Sequence, residues 1–259
     1  MLLERGKSLD GIYILLPAFL AGFLIVCTHV PLGLEVMKRG IIFIDLALAQ
    51  IAGLGVIVAS LYFHSEENLI ITQLMAFLFA ISAAYGFMLF EKYTPKLQEA
   101  IIGSVYVFSS SLALLLLANH PHGAEEVQNL LSGQLLWISW QQIVMAAIAY
   151  ILLIPAIFTK KVINRYFFFI FALTITISVQ LSGVFFVFAS LILPAIGAAF
   201  YKNKLVFGYS ISIISLIIGL VVSLATDWPT GPILVCILFV IVTLFIIPHF
   251  IKLRILESK

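Results

Sequence analysis

The sequence predicts an all-α, polytopic integral membrane bundle of eight or nine transmembrane helices, forming a single transmembrane domain over 1–259. Three observations carry that prediction. The chain is 63% hydrophobic and 10% charged, with a mean hydropathy of +1.19, whereas soluble domains are about 45–50% apolar. Apolar runs long enough to cross about 30 Å of hydrocarbon recur along its whole length. Lysine and arginine occupy alternate connections between those runs, the pattern expected of loops on the inner side of a membrane.

The runs lie at about 11–28, 41–63, 69–90, 99–118, 142–158, 166–182, 183–200, 205–225 and 231–250. The first follows ten mostly polar residues and lacks a small-residue cleavage pattern, so it reads as a span rather than a leader. The second opens after Lys38-Arg39 and carries one acid, Asp45, one amide, Gln50, and a set of small residues. On a wheel turning about 100° per residue, Ala49, Ala52, Gly53, Ala59 and Ser60 fall within roughly 80° of Asp45. Small residues let a neighbouring backbone approach closely in a bilayer, and a carboxylate there costs several kcal/mol unless paired or wetted. Three readings of Asp45 stay open: a surface anchor beside Arg39, a group on a solute path, and a helix-packing residue. The fourth run contains Ser109-Ser110-Ser111, hydroxyls that bond across helices or to their own backbone.

Between the fourth and fifth runs, Val127–Trp140 is too short and too polar to cross alone. Its two tryptophans suit a membrane interface, and the stretch reads as an interfacial or re-entrant helix. The sixth and seventh runs are separated only by Leu181-Ser182-Gly183, which is either a tight turn or a break within one path; hence the count of eight or nine. Prolines at 17, 155, 194, 232 and 248 interrupt several spans.

Lys38, Arg39, Lys92, Lys96, Lys160, Lys161, Arg165, Lys202, Lys204 and the C-terminal Lys252, Arg254 and Lys259 mark one side. The intervening connections hold His64, Glu66, Glu67, His120, His122, Glu125, Glu126 and Asp227, with no Lys or Arg. The first set is therefore predicted to be cytoplasmic, and with it the C-terminus.

The net charge of +2 gives no footprint for nucleic acid. Cys27 and Cys236 both lie in apolar runs and form no paired-cysteine metal motif. No zinc-protease, nucleophile-elbow or phosphate-loop motif is present, so no enzyme activity is expected. His120 and His122 with Glu125 and Glu126 form an outward His/carboxylate cluster of the ligand types that attract zinc or manganese; a solvated loop has the same composition. His29 and His249 read as helix-end or packing histidines, and Glu35 as an ion-pair partner of Lys38-Arg39. No segment outside the spans is long enough to fold alone, so any energy-converting machinery belongs to another chain.

Five landmarks in order give a resemblance over nearly the whole chain. They are Leu16–Gly22 leading to Pro31-Leu32-Gly33 and Lys38-Arg39-Gly40; Asp45–Gly55; Leu130–Leu136; Ser190–Ala195; and Asp227–Pro232. In this order they resemble the membrane permease subunit of bacterial ATP-binding-cassette importers for zinc, manganese or iron. The resemblance implies a homodimer in the bacterial inner membrane, a cytoplasmic ATPase that uses ATP, and an extracytoplasmic metal-binding protein. It implies no cofactor bound by this chain and a divalent metal as cargo. A transport path on the second helix would then involve Asp45, Gln50, Ala49 and Gly53, with Asp45 as metal ligand. Contacts to the ATPase would involve Glu35, Lys38, Arg39, Lys92, Lys96 and Lys202.

Three features depart from the family pattern. The family's second helix offers Asp and His four apart; here Gln50 takes the His position, Leu46 the Asp position, and Asp45 lies one residue earlier. Five residues place Asp45 and Gln50 about 140° apart on a regular helix, and a borderline metal prefers imidazole to an amide oxygen. Gln134 replaces an acid of the third landmark. The connection Thr159–Arg165 is shorter than the family's acidic cytoplasmic segment. The alternatives are a divergent permease with a different cargo and an ATPase-independent secondary transporter or channel using Asp45.

Overall fold

The computed structural model describes residues 2–63, 69–118, 123–133 and 135–257. Nine α-helices account for almost all of the described residues: α1 (Leu2–Arg39), α2 (Ile44–Phe63), α3 (Leu69–Tyr93), α4 (Gln98–Leu117), α5 (Gly123–Ser132), α6 (Trp140–Phe158), α7 (Lys160–Ala198), α8 (Lys204–Thr226) and α9 (Thr230–Glu257). Short 3₁₀ turns at Pro95–Leu97 and Leu135–Trp137 complete the order. Eight of the helices, all but α5, are long and apolar enough to cross a membrane.

Local chemistry sets several helix ends. After Arg39, Gly40 adopts φ 70°, and the N–H groups of Gly40 and Ile41 both donate to the Val36 carbonyl. That is a left-handed glycine cap, closed by the apolar pair Val36 and Ile41 in the core. Helix α6 starts at a capping box in which Ser139 and Gln142 satisfy each other's backbone amides. Ala76, Ala80 and Ala84, four residues apart and fully buried, give α3 the kind of small-residue stripe that lets membrane helices pack closely.

Helix α7 resolves the ambiguity at Leu181-Ser182-Gly183. Its 39 residues would span about 58 Å if straight, roughly twice the hydrocarbon thickness. It is not straight. Gly183 has φ 77° and ψ 164°, a conformation open essentially only to glycine. The imidazole of His29 is hydrogen-bonded to Ser178 (2.9 Å) and to Ser190 (2.7 Å). Twelve residues of continuous helix would hold those hydroxyls about 18 Å apart, so the chain reverses at Gly183. The helix is a hairpin of two arms, 167–182 and 184–198. The tight-turn reading of the sequence holds.

The ends of the bundle follow from contacts. At one end Arg39 pairs with Glu91 (2.9 Å) and Glu35 (3.4 Å) and stacks over Phe167 at 4.3 Å, joining the ends of α1 and α3 to the start of α7. The Phe43 amide, just before α2, reaches Glu99 at the start of α4. This is the basic end. At the opposite end a Cβ placed on Gly133 would lie 2.2 Å from Ser182 backbone atoms, and one on Gly231 would lie 1.9 Å from the Ser132 carbonyl. The α5–α6 connection therefore sits directly on the tip of the α7 hairpin and the start of α9.

One sequence-based boundary shifts. Helix α5 begins at Gly123 rather than near Val127, taking Glu125 and Glu126 into its first turn, where acids are favoured by the helix dipole. It also penetrates the bundle. A Cβ on Gly53, the tenth residue of the 20-residue α2, would meet Leu130 of α5 at 2.8 Å. The end of α5 thus reaches the middle of α2, as a re-entrant segment does.

Candidate functional site: an amide-lined chain of cavities

A cavity of about 590 Å³ lies between α2, α4 and α5. Its polar lining is Gln50 and Ser60 from α2, Tyr106 and Ser110 from α4, and Asn129 from α5. Gln50 is 5% exposed, and the Ser110 hydroxyl is buried without a hydrogen-bond partner. The rest of the wall is aliphatic, including Val56, Ile57 and Leu130. Gly53 also lines it, and its lack of a side chain is what lets Leu130 close over α2.

Three smaller cavities are linked to it in series through shared lining residues. One of about 280 Å³ shares Asn129 and Leu130 with the main cavity and adds Gln142 and Gln180. A third, about 290 Å³, shares Gln142 and Gln180 with that one and adds Gln73. A fourth, about 460 Å³, shares Asn129, Gly133 and Trp137 and lies toward α8 and α9 beside Asp227 and Trp228. Gln73 donates to the Gln180 carbonyl oxygen, while Gln180 Nε2 is buried without a partner. Carboxamides thus recur from the non-basic end to the middle of α2. Among the described residues lining these cavities Asp227 is the one acid, and there is no His, Cys, Lys or Arg.

The residues singled out in the sequence separate in space. Gln50 and Gly53 line the main cavity, Ala49 is fully buried in packing, and Asp45 is buried without lining any of the four cavities. Asp45 is 1% exposed, and neither of its carboxyl oxygens has a hydrogen-bond partner. Arg39 is committed to Glu35 and Glu91, so the anchoring ion pair considered for Asp45 does not form. No group of three or more His, Cys, Asp or Glu able to hold a metal occurs among the described residues. His120 and His122 lie outside the described residues; Glu125 is exposed in α5, and Glu126 is in the same turn. At the basic end the Lys38 side chain is 71% exposed, and Lys92, Lys96 and Lys202 are exposed as well. Glu35 bonds to both Lys38 and Arg39.

The amides of Gln73, Gln142 and Gln180 were not legible as a site. Each is the single carboxamide of a separate apolar run, far from the others in sequence. Their one signal is cost: a carboxamide in a membrane span needs a partner or a wet cavity.

Comparison with solved structures places the fold. PsaBC from Streptococcus pneumoniae, in complex with Fab, superposes with TM-score 0.70 at 15% identity, over 95% of each chain. An inward-facing conformation of a transporter described as metal-chelate type ABC superposes with TM-score 0.63 at 14% identity, over 91% of this chain and 83% of that one. No curated protein sequence matches. The family model of the ABC 3 transport family matches residues 11–168 and 158–251. The chain is a multi-pass transport subunit rather than an enzyme, and with that match over nearly its whole length it belongs to the ABC 3 transport family.

Proposed function

We propose that this chain is the permease of a bacterial inner-membrane importer whose cargo contains zinc, manganese or iron. ATP is spent by a separate ATPase at the basic end, and an extracytoplasmic binding protein delivers cargo to the opposite end. Family membership carries this reading, and the re-entrant α5 beside the main cavity supplies a path element at the right depth. Two copies related by a two-fold axis are proposed, with the ATPases beneath. The C-terminus then lies in the cytoplasm with the exposed Lys38, Lys92, Lys96 and Lys202. Arg39 holds the helix ends together, so the exposed lysines are the ones left for an acidic docking surface.

The test is association. The purified full chain, mixed with a candidate ATP-binding-cassette ATPase from the same organism, should form a stable complex in lipid nanodiscs and raise ATP hydrolysis when binding protein is added. Absence of any complex with that ATPase would contradict the reading.

A further inference from the structure

We infer that the slot between α3, α6 and α7, the third of the cavities, binds one acyl chain of a phospholipid in the leaflet opposite the basic end. The ester and phosphate oxygens of that lipid are held by carboxamide N–H groups at the mouth of the slot. The inference needs the membrane bundle but neither the cargo nor the ATPase.

Three helices build the site. Helices α3 and α6 each pack on α7 and leave between them a slot of about 290 Å³. Its polar members share one depth. Gln73 lies one turn into α3, Gln142 in the first turn of α6, and Gln180 three residues before the reversal at Gly183. The exposed Trp137 and Trp140 come just before Gln142, and such tryptophans sit at the headgroup level of a bilayer. Deeper in, the wall is apolar: Phe77 follows along α3, Met145 and Ala149 along α6, and Ile177 along α7. From Gln142 to Ala149 the slot runs about 10 Å along the helix axis.

The slot faces the membrane. Met145 is exposed, as are Leu74 and Leu78 on α3 and Val144 and Ile148 on α6. Hydrocarbon is what surrounds such a surface in a bilayer. Water in the slot would satisfy the amides but leave Phe77, Met145 and Ile177 without apolar contact.

The polar end selects the head of the guest. Gln73 donates to the Gln180 carbonyl oxygen, which leaves Gln180 its two N–H groups to give. That nitrogen is buried without a partner among the described residues. The Gln142 carbonyl oxygen accepts from the amide and the hydroxyl of Ser139, so Gln142 also has N–H groups to offer. The mouth is therefore rich in donors. Its complement is a molecule with oxygen acceptors at its head and hydrocarbon beneath, as a phospholipid has at the glycerol level. Such a guest removes the cost of a buried amide left without an acceptor.

The test uses the full chain in detergent micelles, titrated with phosphatidylethanolamine that carries a diazirine halfway along one acyl chain. After illumination, adducts are mapped by peptide mass spectrometry. Labelling around Phe77 and Met145 should saturate, whereas labelling of the exposed α9 positions Phe239 and Val240 should rise in proportion to added lipid. Gln180→Leu should raise the half-saturating concentration about threefold to tenfold, the size expected for losing a hydrogen bond to a buried group. Ala149→Phe, which fills the slot and leaves the amides in place, should reduce its adducts to the α9 level. Each variant is read only with a wild-type melting profile, and either one alone decides. The same photoreactive chain as a free fatty acid has one polar group to divide between Gln142 and Gln180, and should need a higher concentration.

Labelling of the slot that never saturates, or saturable labelling that the folded variants leave unchanged, would overturn the inference. Equal or tighter labelling by the fatty acid would overturn it in favour of a free acid. A slot labelled in monomers but shielded in dimers would overturn it in favour of a second copy of the chain. The permease reading is judged separately, by association with the ATPase.

Discussion

His29 shows what a single polar residue does inside an apolar bundle. It is fully buried, and its ring nitrogens meet Ser178 on one arm of α7 and Ser190 on the other. Tyr150 of α6 adds its hydroxyl to Ser178 at 2.7 Å. A neutral imidazole has one donor and one acceptor, so one serine must donate to it and the other accept. The cluster therefore works only with both arms in place. His29→Ala should destabilise the protein by about 2–4 kcal/mol, through a cavity and stranded hydroxyls, measured as thermal or denaturant unfolding in micelles. An unchanged stability would mean the clamp carries no weight. Asp45 predicts the reverse sign. Its oxygens are buried without partners, and a buried carboxylate costs more than an uncharged amide of the same shape. Asp45→Asn should raise the melting midpoint while reducing uptake about tenfold or more, because a group kept at a stability cost inside a membrane is one that function retains. Sequence marked both residues as noteworthy, and placed His29 correctly among packing histidines. It did not reveal that Ser178 and Ser190 share it, since only the reversal at Gly183 brings residues twelve apart together.

Among the elements, the α7 hairpin organises the rest. Its tip is seated on the α5–α6 connection through two glycines that face one another. A Cβ on Gly183 would lie 2.4 Å from the Gly133 nitrogen, and Gly133 itself has φ 64°. Gly183→Ala should cost at least about 2 kcal/mol from backbone strain alone, with more from the contact. Gly133→Ala strains the same junction, so the double variant should cost less than the sum of the two. Strict additivity in unfolding measurements would show that the two glycines act separately. Span positions were readable from the length of apolar runs, because lipid sets that length directly. The penetration of α5 was not, since a ten-residue amphipathic segment suits an interface and a half-crossing equally well. The decision lies in Gly53, which makes room for Leu130 and which looks, in sequence, like one more small residue on a packing face.

At the scale of the molecule, the two ends differ in chemistry and so in partner. The basic end presents Lys38, Lys92, Lys96 and Lys202 to solvent, while Arg39 is consumed internally. Charge reversal of Lys38 and Lys96 together should weaken ATPase association severalfold at low salt and less at high salt, since exposed charges act mainly on encounter. No salt dependence would remove the lysines from the docking surface. The order of landmarks along the chain pointed to the family, which the match over 11–168 and 158–251 establishes. The cavity system was beyond reach of the sequence, because its carboxamides come from α2, α3, α5, α6 and α7 and converge only in three dimensions. The central claim is that this bundle moves a metal-bearing cargo at the expense of ATP. Its most direct test is uptake into proteoliposomes containing the full chain and its ATPase, with binding protein outside and ATP inside, read as metal accumulated per protomer. Accumulation that requires ATP and falls at least tenfold in Gln50→Leu is the predicted result. Uptake that proceeds equally without the ATPase, or no metal uptake by an assembled and hydrolysing complex, would contradict the account.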